Sequence, residues 1–174
     1  HSDRVSEYSV LIGKQLGLPD NEIKNLQLGG LFHDVGKIGI PDTILQKESK
    51  LTNDEYSEIK NHPSIGAHIL STATIFQDII PIVKHHHERY DGTGYPGQLK
   101  GTDIPYLARI TAVADTFDAM TSKRSYRDSL PLDVVISEFE KHKGTQFDPE
   151  ITDVFLDILK NHYDKIQEIQ EKYK

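Results

Sequence analysis

Histidines are concentrated in the first half of the sequence, and their side chains are well suited to chemistry near neutral pH. The chain of 174 residues contains nine histidines, and seven of them precede residue 90. Imidazole nitrogens bind divalent metal ions and transfer protons. The seven are His1, His33, His62, His68, His85, His86 and His87. This bias indicates a functional site built largely by the first half of the chain.

Several of these histidines fall on the apolar faces of helices that the sequence predicts. His33 lies seven residues after Leu26, which is about two helical turns, and His1 lies four residues before Val5. Both should therefore point inward with the apolar residues of their helices. The groups expected to converge in one interior are His1, His33, Asp34, His62, His86, His87 and Asp115.

A metal centre is the interpretation that best accounts for this convergence. One inward histidine is more often a core residue with a hydrogen bond to the backbone. Six or more imidazoles and carboxylates in one core could not all find neutral partners cheaply. Divalent ions bind both groups together and neutralise such a site. The remaining histidines are interpreted as spare or exposed, and they are His68, His85, His142 and His162.

Helices must position these groups, because the apolar pattern has a helical period almost throughout and no run alternates like a strand. The fold class expected is all-α, a bundle of about seven to eight helices with one irregular, glycine-rich loop from Asp91 to Gly101. The first predicted helices run from Val5 to Leu16 and from Asp20 to the loop at Gly36. The next begins with a capping box at Thr52 and Glu55 and continues through a break at Pro63 to Ile69, and another runs from Ile75 to His87 with an interruption near Pro81. The last three run from Pro105 to Met120, from Pro131 to Lys143, and from Pro149 to near the end.

Length and composition indicate one domain, residues 1–174, with a polar helical tail at 163–174 expected to be solvated or to pack on another domain or subunit. The formal charge of -7 argues against polymeric nucleic acid as a partner. No apolar run approaches the roughly 20 residues of a membrane span, and no cysteine is present. We therefore expect a cytoplasmic domain without membrane contact, excised from a larger multidomain protein.

Two motifs carry a resemblance to a known family. The pair His33-Asp34 resembles the defining dyad of HD-domain phosphohydrolases, and residues 86–96, which end in Gly-Tyr-Pro, resemble the extended signature of the HD-GYP subfamily. The resemblance extends from His1 to about residue 160. Further matching segments are Gly36 to Pro41, His62-Pro63 with Gly66, Ala114 to Thr121, Arg124 with Tyr126-Arg127, and Gly144 to Pro149. The resemblance implies an HD-domain-like bundle with an irregular Gly-Tyr-Pro loop.

The resemblance also implies a ligand set for two divalent ions, with iron or manganese expected. Asp34 would bridge the ions, with the other ligands divided into two groups. Some family members bind a third ion through a Glu one turn before the first histidine, and that position lies outside this chain, so two or three ions stay open. One group is His1, His33 and Asp115, and the other is His62, His86 and His87.

The implied activity is hydrolysis of cyclic di-GMP by a metal-bridging hydroxide that attacks in line. Asp34 and Lys37 are the expected catalytic residues, and Lys37, Tyr95, Arg124 and Arg127 are the expected substrate contacts. Ser125 stands where the family often has proline. Glu88 and Asp118 are expected to orient the histidines from outside the ligand set.

Several alternatives stay open from the sequence. The product is pGpG, GMP or both, and the substrate is cyclic di-GMP or a hybrid cyclic dinucleotide. A different class, a non-catalytic nucleotide-binding or protein-interaction module, is disfavoured because the whole ligand set is present. The partners considered are a second copy in a homodimer, an upstream sensory or receiver domain, and a diguanylate cyclase domain.

Overall fold

A computed structural model describes residues 1–124 and 126–174 of the chain. Ser125, the departure from the family pattern noted above, lies outside the described residues. The helices are α1 (Ser2–Gln15), α2 (Asp20–Phe32), α3 (Asp42–Leu45), α4 (Asn53–Ile59), α5 (His62–Leu70), α6 (Ile80–His85), α7 (Tyr106–Thr121), α8 (Leu132–His142), α9 (Pro149–Asn161) and α10 (Tyr163–Lys172). Three 3-10 helices cover Val35–Gly39, Thr74–Ile79 and Gly101–Asp103.

The all-α prediction is confirmed, and the described residues contain no β-strand beyond isolated bridges. The predicted capping box is also confirmed, because the Thr52 hydroxyl accepts from the Glu55 amide while the Glu55 carboxylate accepts from the Thr52 amide. Among the described helices, none has both the length and the apolar character needed for a membrane crossing.

The structure divides two of the predicted helices further. The segment expected as a helix from Ile75 to His87 with an interruption near Pro81 is a 3-10 helix followed by α6, with Pro81 in the first turn of α6. Proline is tolerated there because the first amides of a helix have no intrahelical partner. At the other end of the chain, His162 has φ -137, which ends α9 and begins α10.

The main core lies among α1, α2 and α7 to α10. Its largest side chains are stacked edge to face, with Phe117 5.0 Å from Tyr8 and 5.1 Å from Phe155 between ring centroids. The 163–174 tail contributes to this core, since Ile166 and Ile169 are both buried in it. The tail therefore packs on its own domain, because two apolar residues three apart share one face of an otherwise polar helix.

A second, smaller core supports the other half of the ligand set. It contains Leu70 of α5 and Ile82 and Val83 of α6, together with Ile79. The 3-10 helix after α2 approaches α5 closely at Gly36, where a β-carbon would collide with the His62 carbonyl oxygen and the Gly66 amide. This contact fixes the position of the loop after Asp34 against the start of α5.

Candidate metal centre

Five helices bring the seven expected ligands to one place in the bundle. His1 precedes α1, His33 and Asp34 follow α2, His62 begins α5, His86 and His87 follow α6, and Asp115 lies within α7. Their ligand atoms form two groups, within each of which all the atoms lie within 4.8 Å of one another. The groups are His1, His33 and Asp115, and Asp34, His62, His86 and His87.

Asp34 faces both groups, one with each carboxylate oxygen. Its Oδ2 lies 3.5 Å from His1 Nε2 and 3.3 Å from His33 Nε2. Its Oδ1 lies 3.2 Å from His62 Nε2 and 3.8 Å from His86 Nε2. A carboxylate with this orientation can bind two ions through its two oxygens.

Three of the buried histidines are fixed by the same kind of hydrogen bond. In each, Nδ1 donates to the carbonyl oxygen of the residue three positions earlier, at the end or the start of a helix. This leaves Nε2 as the unprotonated nitrogen of the neutral ring. The bonds are His33 to Gly30 at 2.6 Å, His62 to Ile59 at 2.7 Å and His86 to Val83 at 2.8 Å.

The other nitrogens of these rings indicate that metal ions fit the site. Within the described part of the chain, the Nε2 atoms of His33, His62 and His86 are buried and have no hydrogen-bond partner. An unsatisfied buried polar atom costs about 1 to 3 kcal/mol, so three together need an explanation. Ligands about 2.0 to 2.2 Å from one ion lie about 3.0 to 3.5 Å from each other, which matches most of the distances above. The nitrogen and oxygen donors suit divalent ions.

The carboxylates of the site are ionised in the absence of metal. Burial raises the pKa of Asp34, but the neighbouring His1, His33 and His62 outweigh it and hold the pKa far below its usual range. Burial likewise opposes ionisation of Asp115, and His1 and His33 again hold its pKa well below the usual value. The site therefore presents two fixed negative charges.

The histidines differ between the two groups. Burial lowers the pKa of His1, but Asp115, Asp118 and Asp34 outweigh it and raise the pKa to about 11. The pKa of His33 is raised to about 9 by Asp115 and Asp34, also against burial. In the other group, burial lowers the pKa of His86 well below 6.5 and that of His87 to about 4. The first group thus holds protons that an ion would displace, while His86 and His87 are already neutral.

Asp118 contacts His1, one of the histidines that it was expected to orient. His1 Nδ1 donates to Asp118 Oδ2 at 2.7 Å, and Arg4 Nε donates to Asp118 Oδ1 at 2.6 Å. Arg4 also donates to the Ser122 hydroxyl at 3.2 Å. The role of Arg4 was missed in the sequence, although it follows His1 by three residues and so shares its helix face.

Glu88 has a different role from the one expected, because within the described part of the chain its carboxylate makes no hydrogen bond to an expected metal ligand. Its buried carboxylate accepts from the Gly97 amide at 2.6 Å and the Leu99 amide at 3.1 Å, and it lies 3.2 Å from His85 Nδ1. The expectation that Glu88 orients a ligand histidine directly is therefore wrong. It holds the glycine-rich loop, whose final conformation the sequence does not specify.

The glycine-rich loop closes over residues 86–89. Gly94 packs against backbone atoms of His87 and Arg89, where a β-carbon would collide, and the Tyr95 amide donates to the His87 carbonyl oxygen at 3.3 Å. The Tyr95 ring stacks on the His87 imidazole, with centroids 4.9 Å apart and planes 14° apart. The Tyr95–Pro96 peptide bond is cis.

The expected substrate residues lie in different surroundings. Lys37 Nζ donates to Asp34 Oδ2 at 2.9 Å, and Lys37 and Arg124 line one depression of about 510 Å³ together with Tyr126. Arg127 donates to the Ala119 carbonyl oxygen at 2.9 Å, at the end of α7. The structure thus brings Lys37 and Arg124 together, whereas Tyr95 contacts a metal-site histidine and Arg127 contacts a helix end.

A second depression beside the site was missed in the sequence. It has a volume of about 230 Å³ and is lined by His86, His87 and Asp115 together with Thr116 and Gln146. The Gln146 carbonyl oxygen accepts from the Tyr90 amide at 3.1 Å, which joins the glycine-rich loop to the segment before α9. Only the folded positions of these two segments reveal this cavity.

Comparisons with known proteins agree with the site. The family described as HD domain matches residues 1–151. A cyclic di-GMP phosphodiesterase response regulator of Xanthomonas campestris pv. campestris is 42% identical over 156 residues, covering 88% of this chain and 41% of the relative. A 3'3'-cGAMP-specific phosphodiesterase 2 of Vibrio cholerae is 38% identical over 167 residues, covering 95% of this chain and 31% of the relative. This chain spans less than half the length of these curated relatives.

Among solved structures, an HDG"Y"P protein from Bdellovibrio bacteriovorus has a TM-score of 0.74 and 26% sequence identity, over 92% of this chain and 52% of that chain. The helical bundle is thus shared with this protein. Since the family match covers most of the chain and includes both the His33-Asp34 pair and the Gly-Tyr-Pro loop, the chain belongs to the HD domain family, in its HD-GYP type.

Proposed function

We propose that this chain hydrolyses the phosphodiester bonds of cyclic di-GMP, with pGpG, GMP or both as products. The observation that carries the proposal is Asp34, whose two oxygens face two groups of histidines. Among the described residues, the Nε2 atoms of His33, His62 and His86 are buried there without a hydrogen-bond partner. Relatives that are named cyclic di-GMP phosphodiesterases, at 42% and 41% identity, support the substrate.

The metal ligands in this proposal are the seven residues of the two groups, with Asp34 shared. Two divalent ions, when bound, would lower the pKa of a water molecule and neutralise charge on the phosphate. Iron or manganese is the expected metal, because the donors are imidazole and carboxylate without sulfur. Two or three ions stay open, because the described residues supply two groups of donors and the position one helical turn before His1 lies outside this chain.

The remaining residues bind and orient the substrate. Asp34 holds the two halves of the site together, and the Lys37 ammonium, 2.9 Å from Asp34, offers a positive charge beside the position for the scissile phosphate. Arg124 shares the depression of Lys37 and could bind the second phosphate or a guanine edge through paired donors. Arg127 would bind substrate through guanidinium donors other than the one that donates to the Ala119 carbonyl oxygen. Tyr95 would contact substrate through its hydroxyl.

A hybrid cyclic dinucleotide is the second candidate substrate. Its support is the 3'3'-cGAMP-specific relative of Vibrio cholerae, which is similar over 95% of this chain. A non-catalytic module has less support, because the described residues bring every expected ligand together. The response-regulator relative favours a receiver domain over the other partners considered.

The test is product analysis by chromatography after incubation with cyclic di-GMP. The domain is loaded with Fe(II) under anaerobic conditions, or with Mn(II), and compared with the Asp34→Ala variant. Asp78→Ala is the matched control, since Asp78 is exposed and lies outside the site. We expect pGpG or GMP from the wild type and the control, and none from Asp34→Ala.

Turnover of 3'3'-cGAMP without turnover of cyclic di-GMP would transfer the proposal to the hybrid substrate. A wild-type domain that binds metal but hydrolyses neither nucleotide would contradict catalysis and favour the binding module.

A further inference from the structure

His87 differs from the other histidines of the metal centre in how its ring is held. His1, His33, His62 and His86 each donate Nδ1 to a carboxylate or a backbone carbonyl oxygen. Among the described residues, neither ring nitrogen of His87 has such a hydrogen bond. Metal-binding histidines are normally oriented by a hydrogen bond from the nitrogen that does not bind the ion. Something else must fix the plane of the His87 ring.

The nearest flat contact on His87 is the Tyr95 ring, stacked at 4.9 Å with planes 14° apart. The other neighbours meet His87 at steeper angles, 48° for His86 and 87° for His62. A parallel ring restricts rotation of the imidazole about its χ2 angle, because rotation would push its edge into the tyrosine face. Tyr95 can therefore supply the orientation that a hydrogen bond supplies elsewhere in the site.

The Tyr95 ring is itself held on several sides. The Tyr95 backbone amide donates to the His87 carbonyl oxygen at 3.3 Å. The Glu88 carboxylate accepts hydrogen bonds from two backbone amides in the loop that follows Tyr95. Lys60 Nζ lies 5.5 Å from the Tyr95 ring centroid and 5.2 Å from that of Tyr56, within the range of cation–π attraction. The ring thus has a fixed backbone on one side and a lysine nearby.

We propose that Tyr95 is a positioning residue, whose ring orients His87 to bind the second ion, which is the ion held by Asp34, His62, His86 and His87. We propose further that Lys60 supports the Tyr95 ring. This inference rests on the proposed metal site and deepens it. It assigns to the tyrosine of the Gly-Tyr-Pro loop a role through a ligand, in addition to the proposed contact of its hydroxyl with substrate. The ring and the hydroxyl have separate roles, so different variants separate them.

Removal of the ring should weaken one of two metal-binding events. We expect Tyr95→Leu to reduce affinity at the group of Asp34, His62, His86 and His87 by about tenfold, the lower end for loss of an orienting partner. The first group should bind as in the wild type. Tyr95→Phe keeps the ring and should bind both ions normally, while its KM for cyclic di-GMP rises if the hydroxyl contacts substrate. Lys60→Met should weaken the second event by about two- to fivefold.

The measurement is titration of the metal-free domain with Mn(II) by calorimetry and with Co(II) by visible absorption, which reports ligand geometry independently of activity. The His87→Ala variant shows which step of the titration is binding of the second ion, because it removes a ligand of that ion only. Tyr56→Leu is the matched control, because Tyr56 also contacts Lys60 but, among the described residues, its ring is not paired with the His87 ring. This variant should bind both ions with an unchanged spectrum. Tyr95→Met replaces Tyr95→Leu if the latter fails to fold.

Wild-type binding of both ions by Tyr95→Leu or Tyr95→Met would overturn the proposal, as would equal losses in Tyr95→Phe and Tyr95→Leu. The titrations contain no nucleotide, so a domain that fails to hydrolyse cyclic di-GMP still gives a result. Conversely, normal hydrolysis with unaltered metal binding in these variants would refute the positioning role and leave the proposed function intact.

Discussion

Single histidine side chains in this site have one ring nitrogen fixed by a hydrogen bond and one without a hydrogen-bond partner among the described residues. His33 Nδ1 is bound to a backbone carbonyl oxygen while its Nε2, 3.3 Å from Asp34 and 3.5 Å from Asp115, is not aligned for a hydrogen bond with either. A core histidine would normally satisfy both nitrogens. A paired Nδ1 together with an unpaired Nε2 is therefore a better criterion for a candidate metal ligand than burial alone.

Protonation at the first group leads to a prediction for pH. The pKa values of His1 and His33, about 11 and 9, lie above 7, so without metal both rings are cationic at neutral pH, with a proton on each nitrogen. An ion must displace these protons, because only neutral imidazole binds it. We expect about one to two protons released on binding of the first ion at pH 7, and an affinity that rises as pH increases from 6 towards 9.

Calorimetric titration with Mn(II) in two buffers of different ionisation enthalpy measures this release. The Asp118→Asn variant is the informative comparison, since it removes one of the carboxylates that raise the pKa of His1. The pH range over which its affinity rises should therefore end at a lower pH. Binding without proton release, and with the same affinity at pH 6 and pH 8, would show that the first group is neutral in the metal-free domain.

Local spacing was sufficient to predict which side chains converge, but not which residues hold them in place. His33 and Asp115 lie on helix faces whose apolar period is visible in the sequence, so their convergence could be inferred. Glu88 and Tyr95 lie in or beside a loop without a period, and the amides that Glu88 accepts depend on how that loop folds back. Arg4 shares a helix face with His1, but that spacing does not reveal its contact with Asp118, which is more than 100 residues away.

At the scale of elements, the close approach of the Val35–Gly39 3-10 helix to α5 sets the distance between Asp34 and His62. A β-carbon at Gly36 would collide with backbone atoms of His62 and Gly66, which cannot move without shifting α5. Gly36→Ala should therefore destabilise the domain by about 3 kcal/mol, the upper end for overpacking, and should weaken binding of the second ion.

Urea unfolding of the metal-free variant, followed by metal titration, measures both effects. Gly39→Ala is the matched control in the same 3-10 helix, where the nearest atoms to a β-carbon would belong to the Ile65 side chain, at 3.0 Å and beyond. That side chain can adjust, so the control should lose less than about 1 kcal/mol. Equal stability of the two variants would show that the loop after Asp34 is free to move relative to α5.

At the scale of the whole molecule, the site lies between two apolar cores and joins the helices that each core supports. The larger core holds α1, α2 and α7, which carry the first group, while the smaller core holds α5 and α6, which carry the second. Asp34 lies at the junction. Ions bound to both groups would therefore link the two halves of the bundle.

Metal binding should accordingly stabilise the whole domain and not only the site. An ion present at 100 times its dissociation constant adds about 2.7 kcal/mol per site to the free energy of unfolding. For a domain of this size, about 1 kcal/mol raises Tm by roughly 2 to 4 °C, so each occupied site should add roughly 5 to 10 °C.

Calorimetry of the metal-free and Mn(II)-loaded domain measures the shift. Asp34→Ala, which removes the shared ligand, should lose most of it, while Asp78→Ala should retain it. A full shift in Asp34→Ala would mean that the two groups bind ions independently and that Asp34 does not join the halves.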